Sequence, residues 1–175
     1  MRHKTLPGLS LAVIFLSSLV LAGPGEFRKG VTYLTPELGV NTWSVPFGLS
    51  VEYALTPNIG IGGTGLLWIF GSGGYNYTNI SLFGDFAYHF TRLRARDLDL
   101  YAGGGLGFIS VSRSKAQDIA EGNSRGDKTG VFLVPFAGVR YYLSPSIALS
   151  LRLMVNVFGD WQGFIGLAGV TFVLK

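Results

Sequence analysis

A two-residue alternation of side-chain character recurs along this chain and constrains its fold more than any other feature. In residues 43–55 every odd position is large and apolar, and every even position is small or polar. Residues 147–157 repeat the pattern, with aliphatic odd positions from Ile147 to Val157. Successive side chains of a β-strand stand on opposite faces, so this period indicates strands with two unlike faces. The pattern therefore predicts an all-β protein.

Turn signals divide the chain into eight such strands. Pro and Asn favour tight turns, and they occur at residues 56–58 and, with Ser, at residues 144–146. The predicted strands are Gly30–Asn41, Trp43–Leu55, Ile59–Phe70, Tyr75–Phe90, Leu98–Val111, Thr129–Leu143, Ile147–Phe158 and Gln162–Leu174. The alternation changes parity after Gly63, which predicts a β-bulge in the third strand. Ser112–Lys128 has no apolar period and is predicted to be a long loop.

Residues 1–22 have the layout of a secretory signal peptide. Arg2 and Lys4 make a basic start, an apolar run follows from Leu9 to Leu21, and Ala22 offers a small residue before cleavage. The apolar run is shorter than the ~20 residues that a helix needs to span a bilayer. We therefore expect residues 1–22 to be removed and residues 23–175 to form one domain.

The composition excludes several classes of protein. The chain has no cysteine, so it has no disulfide, no thiol chemistry and no lipid-modified cysteine. Charged residues make up 14% of the chain, against roughly 25% in soluble domains. Removal of residues 1–22 takes away Arg2 and Lys4 and lowers the net charge from +4 to about +2, which is too weak to indicate a nucleic-acid partner. A chain this apolar suits strands that face lipid.

Three features predict that the apolar faces of the strands point outward. The less apolar faces carry few ionisable residues, namely Glu37, Glu52, Asp85, His89, Asp99, Arg140 and Arg152. These faces are otherwise rich in small residues, and an eight-stranded barrel has room inside only for side chains that fill it. Aromatic residues mark the strand ends as two girdles, with Tyr53, Tyr88 and Tyr141 before the short turns and Trp43, Trp68 and Trp161 opposite. A membrane barrel is therefore favoured over its alternative, a soluble lipocalin-like barrel.

These features together resemble the small outer-membrane β-barrel proteins, such as the OmpA transmembrane domain, OmpX and the OmpW-like group. In the last strand Phe164, Val170, Phe172 and Leu174 share one face, which resembles the C-terminal signal read by the barrel assembly machinery, although the chain ends in Lys175. The resemblance implies an eight-stranded antiparallel up-and-down transmembrane β-barrel in the outer membrane of a Gram-negative bacterium. It also implies contact with outer-membrane lipid, insertion by the assembly machinery and a monomeric state. Termini and short turns would face the periplasm, and Ser112–Lys128 would face outside.

Two motifs that could indicate catalysis are better explained by structure. Residues 60–65 match G-x-G-x-x-G, but that fingerprint needs a following helix, and a strand pattern follows here. His89 is the only histidine after residue 22. A Ser-His-acid site would need it, yet its position predicts a hydrogen-bonded interior histidine. With no cysteine and with acids on separate strands, we expect no metal site, no cofactor and no enzymatic activity.

The interior charges leave the function open between two interpretations. Glu52, His89, Asp99 and Arg140 are predicted near the periplasmic end, and Glu37, Asp85 and Arg152 nearer mid-barrel. Buried charges need partners, so they can form salt bridges that plug the barrel, or a gated polar path. The first interpretation predicts a structural or surface-interaction protein with an unidentified external ligand. The second predicts a porin-like channel or an OmpW-like conduit for small solutes, and a lipid-modifying enzyme is a third possibility.

Overall fold

The computed structural model describes residues 26–41, 44–90, 97–115, 128–159 and 163–174. The predicted signal peptide, Trp43, Trp161 and most of the predicted Ser112–Lys128 loop lie outside these residues. The strands are β1 Thr32–Asn41, β2 Phe47–Ala54, β3 Ile59–Ser72, β4 Tyr75–His89, β5 Leu98–Lys115, β6 Lys128–Ser144, β7 Ile147–Val155, β8 Phe158–Gly159 and β9 Phe164–Leu174. No helix in the described part of the chain is long and apolar enough to cross a membrane.

The strands form one closed antiparallel barrel. Neighbours follow the order β5-β4-β3-β2-β1-β9-β7-β6, and pairing of β5 with β6 completes the circle. The two-residue β8 pairs with β6 just beyond β7, so β7 and β8 together occupy one of eight positions. The first and last strands meet along β1 and β9, from Thr32↔Leu174 to Asn41↔Ile165. The predicted eight-stranded up-and-down β-barrel is confirmed.

The outer surface of the barrel is a belt of large apolar side chains. On β7, Leu149, Leu151 and Leu153 point outward and are each close to half exposed, whereas Ser150 and Arg152 between them are buried. The same alternation holds on the other long strands. Exposed apolar surface on this scale is unfavourable in water and suits the hydrocarbon core of a bilayer.

The two ends of the barrel differ, and we name them by what they contain. The terminal end holds residues 26–31, the end of β9 and the short turns at residues 55–58 and 145–146. The loop end holds the turn between β3 and β4, where Gly73 and Gly74 both have positive φ. Strands β5 and β6 also reach the loop end, at Lys115 and Lys128. Strand β5 therefore continues past Val111, where the sequence pattern predicted its end.

The predicted bulge in the third strand is wrong, and so is the predicted place of Trp68 in an aromatic girdle. Strand β3 keeps an unbroken register with β2, from Ala54↔Gly60 to Phe47↔Leu67, and an equally continuous one with β4. Its parity therefore never changes, and Trp68 points into the barrel with 1% of its surface exposed. The apparent parity change arises because Gly63 and Gly65, which point outward, are smaller than the side chains that point inward beyond them.

Inward-facing glycines make room for large inward-facing side chains on neighbouring strands. A Cβ atom at Gly138 would overlap the Tyr101 ring, and one at Gly107 would overlap Phe83. Interiors are packed too densely to absorb such overlaps without cost. The many glycines of this chain thus permit bulky residues inside a narrow barrel, which the sequence pattern had assigned mainly to small and polar ones.

Candidate functional site: the barrel interior

The terminal half of the interior contains a compact network of four ionisable side chains, which we call the terminal network: Glu52, His89, Asp99 and Arg140. Arg140 donates hydrogen bonds to Glu52 at 2.8 Å and to Asp99 at 3.4 Å. His89 lies between the same two carboxylates. The members come from four strands, β2, β4, β5 and β6, whose alternation turns these positions inward. Through Glu52 the network joins β2 to β4 and β6, with which β2 shares no backbone pairing, and its other contacts join the paired strands β4–β5 and β5–β6.

Both ring nitrogens of His89 are committed to carboxylates. Nδ1 lies 2.9 Å from each oxygen of Asp99, and Nε2 lies 2.8 Å from Oε1 of Glu52. Ionised carboxylates only accept hydrogen bonds, so both contacts are satisfied when each nitrogen carries a proton. In a Ser-His-acid site one nitrogen must instead face a serine hydroxyl. The geometry at His89 is that of a structural ion network.

Residues just before β1 cap this network. The Phe27 ring stacks on His89 with the ring centroids 3.5 Å apart and on Tyr33 at 5.1 Å. The Arg28 backbone N–H donates to the Tyr33 hydroxyl at 2.8 Å. Phe27 is 2% exposed and His89 is fully buried. The chain ahead of the barrel therefore closes the terminal end over the charges.

A second network lies nearer mid-barrel and is built around Arg152, so we call it the central network. Arg152 donates to Glu37 at 2.7 Å and to the Ser50 hydroxyl at 2.6 Å. A second nitrogen of Arg152 lies 3.6 Å from Asp85, which also accepts a 2.8 Å hydrogen bond from Thr64. Two carboxylates thus share one guanidinium, with hydroxyl donors supplying further hydrogen bonds to the charges.

The two networks are separated by a small internal cavity. It measures about 20 Å³ and is lined by members of both networks, among them Glu52, Asp85, Arg140 and Arg152. A space of ~10–15 Å³ is enough for one water molecule. The cavity is too small to connect the networks into a water-filled channel in this conformation.

The loop-end half of the interior is mainly apolar. Its buried side chains form one contiguous cluster, which includes Leu66, Trp68, Phe83, Phe132, Met154 and Ile165. Phe83 and Phe132 meet edge to face, with centroids 5.6 Å apart. The sequence pattern predicts an interior filled by polar side chains, and the structure contradicts this prediction for the loop-end half. The lumen is charged in one half and mainly apolar in the other, and neither half is open.

The structure brings together all of the interior residues that the sequence singled out and divides them into the two networks. The tyrosines predicted to mark one girdle, Tyr53, Tyr88 and Tyr141, point outward at the terminal end and are 44%, 45% and 49% exposed. Of the opposite girdle, Trp68 is interior, and Trp43 and Trp161 lie outside the described residues.

Sequence reasoning missed three groups of interior residues. Ser50 and Thr64 share strand faces with Glu52 and with the inward glycines, so the alternation could have placed them beside the charges. Thr35 and Thr171, whose hydroxyls meet at 2.9 Å across the β1–β9 seam, required knowledge of which strands pair. Phe27 stands ahead of the periodic pattern, and no signal in the sequence marks it.

Comparison with known proteins bears on the fold alone. No protein-family model and no curated protein sequence matches the chain. Outer membrane protein OprG of Pseudomonas aeruginosa superposes with a TM-score of 0.66 at 9% identity, over 86% of this chain and 98% of that one. The N-terminal β-barrel domain of OprF from the same species gives 0.58 at 16%, over 83% and 98%. Ail, the attachment invasion locus protein of Yersinia pestis, gives 0.52 at 13%, over 84% and 100%.

The closed barrel, its apolar outer belt and these superpositions define a class. The chain has the fold of the small eight-stranded β-barrels of bacterial outer membranes.

Proposed function

We propose that this protein is a plugged, non-enzymatic outer-membrane barrel with a structural or surface-interaction role. The observation that carries the proposal is the double closure of the lumen. An apolar cluster fills the loop-end half, and two ion-pair networks with the Phe27 cap fill the terminal half. A barrel closed in both halves leaves its ends as the surfaces that other molecules can reach.

The proposal includes an orientation, with the loop end outside and the terminal end in the periplasm. The long strands β3 to β6 support it, because external loops of such barrels are longer than periplasmic turns. The neighbour Ail, whose name describes attachment and invasion, makes a surface role a reasonable precedent for this fold. In this orientation the β3–β4 hairpin and the segment between β5 and β6 form the interaction surface.

Single-channel conductance of the refolded protein in a planar bilayer tests the plug. We expect no current steps from the wild type, with insertion confirmed by protease protection. An Arg152→Ala variant serves as the comparison, because it removes the only cation of the central network. Discrete current steps from the wild type that change in size in this variant would contradict the plugged barrel and support a gated channel.

The apolar half of the lumen favours a second candidate, a conduit for small apolar solutes. Such a solute would have to pass Trp68, which is the largest fully buried side chain among the residues that the structure describes. Uptake of an apolar fluorescent dye into proteoliposomes measures this activity. Uptake that exceeds that of empty liposomes and rises further in a Trp68→Ala variant would support the conduit over the plug.

A further inference from the structure

An arginine at the loop end is held between aromatic rings. The guanidinium of Arg113 on β5 lies 3.6 Å from the centroid of the Tyr75 ring and 5.9 Å from that of Tyr77. Tyr77 in turn stacks on Phe70, with centroids 4.9 Å apart and planes at 8°. The strand register explains this assembly, because Tyr77 pairs with both Phe70 and Arg113. A long, flexible side chain is thereby fixed in position before any ligand arrives.

These side chains stand on the lumen side of the barrel wall. Phe70 packs against the apolar cluster of the lumen. Arg113 has the parity of Ile109, and Tyr77 that of Asn79, and both of those residues are buried inside. The assembly therefore leans over the mouth of the barrel and faces away from the lipid.

The charge of Arg113 is not neutralised by any acid in the part of the chain that the structure describes. The acids found there lie at mid-barrel or at the terminal end: Glu26, Glu37, Glu52, Asp85, Asp97 and Asp99. Rings contact the faces of a guanidinium, whereas anions bind its edges through N–H groups. Arg113 is exposed, so these edges are open to solvent at the mouth.

Two hydrogen-bond donors lie just below this assembly without acceptors in the described structure. The indole nitrogen of Trp68 and the amide nitrogen of Asn79 have no hydrogen-bond partner, although each residue is 1% exposed. The two residues pair across β3 and β4, one step further into the barrel than Phe70 and Tyr77. A buried donor without an acceptor destabilises the folded protein, because it has lost its hydrogen bonds to water. An acceptor group that enters the mouth would relieve this destabilisation.

We propose that the mouth at the loop end is a binding site for a soluble ligand that carries an anionic group beside a ring. A carboxylate, sulfate or phosphate would bind the N–H edge of Arg113. The ring would stack on the aromatic ladder of Tyr75, Tyr77 and Phe70. This inference deepens the proposed surface role and rests on it, since a site at the mouth is useful only if the loop end faces outside.

Titration calorimetry with phenyl phosphate tests the site, using refolded protein in phosphatidylcholine nanodiscs. Inorganic phosphate and phenol supply the two halves of the probe separately. We expect phenyl phosphate to bind more tightly than either half. Arg113→Gln should weaken binding at least tenfold. Arg113→Lys, which keeps the charge but lacks the planar fork, should lose most of the affinity.

Lys128→Gln is the matched control. Lys128 is an exposed cation at the same end, on the neighbouring strand and paired with Val111. Its loss should change the affinity less than twofold. Equal losses of affinity in Arg113→Gln and Lys128→Gln would indicate general electrostatic attraction and would refute a specific site at Arg113. Undiminished binding to Arg113→Gln would refute it as well.

A second arm separates a soluble ligand from a lipid headgroup. Lipopolysaccharide incorporated into the nanodisc should not compete with phenyl phosphate, because Arg113 faces the mouth. Competition that disappears in Arg113→Gln would assign the site to the headgroup and refute a soluble ligand. Conductance does not enter this test, so a conducting barrel would refute the plug while leaving the Arg113 result intact.

Discussion

Replacement of Arg152 by methionine tests whether the central network stabilises the barrel. Arg152 is 5% exposed, Glu37 is 4% exposed, and the ion pair between them measures 2.7 Å. Methionine keeps much of the side-chain volume but leaves Glu37 and Asp85 without their cation. Breaking a buried ion pair on one side costs about 3–5 kcal/mol, because a charge remains without compensation. We expect the free energy of unfolding to fall by about that amount.

Reversible urea unfolding in lipid vesicles, followed by tryptophan fluorescence, measures this change. A triple variant, Arg152→Met with Glu37→Gln and Asp85→Asn, removes the orphaned charges together with the cation. It should recover more than half of the loss, since neighbouring sites in one network are not additive. Arg113→Met provides an exposed arginine as the control and should cost less than about 1 kcal/mol. A loss below about 1 kcal/mol for Arg152→Met itself would refute the view that the charges are desolvated.

Three further changes probe other parts of the barrel by the same unfolding assay. Gly138→Ala should lower the free energy of unfolding by about 1–3 kcal/mol, because the new Cβ atom overlaps the buried Tyr101 ring. Gly63→Ala should leave the free energy of unfolding nearly unchanged, because the nearest atom to its Cβ is 3.5 Å away. Equal effects of the two variants would contradict the packing argument. Leu151→Arg should cost about 2–4 kcal/mol if this face meets lipid, and no cost would argue against a membrane-facing belt. Phe27→Ala should lower the free energy of unfolding by about 3 kcal/mol. It should also expose the His89 imidazole to modification by diethyl pyrocarbonate. An unreactive His89 in this variant would show that another group closes the terminal end.

The barrel fold is predictable from the sequence because the side chains on the two faces of each strand differ greatly in size. On β7 every outward position is aliphatic, so one strand already shows which face meets lipid. The interior charges were predictable for the same reason, since Glu52 and Arg152 interrupt otherwise small or apolar faces. Closed barrels of eight strands leave little freedom for such residues except to meet one another.

The wrong predictions fall where glycine removes the difference in side-chain size between the two faces of a strand. Outward-facing Gly63 and Gly65 make β3 look inverted, and Trp68 was therefore assigned to the lipid interface. The apolar half of the lumen was missed for a related reason. Whether an inward Phe83 fits depends on Gly107 of the neighbouring strand, and that complementarity follows from strand register, which no single strand encodes. Phe27 lies outside any periodic segment, so only the folded chain reveals its contact with His89.

The ion-pair networks also bear on when the barrel becomes stable during folding. Arg152 on β7 meets Glu37 on β1, and Arg140 on β6 meets Glu52 on β2, so each pair joins an early part of the chain to a late one. Contacts of such sequence separation form only after much of the chain is ordered. A barrel that lacks its last strands would bury Glu37 without Arg152 and would leave Glu52 with His89 but without Arg140, at energetic cost. The same charges that close the finished lumen therefore disfavour partly built barrels, and they make completion of the chain a condition for a stable interior.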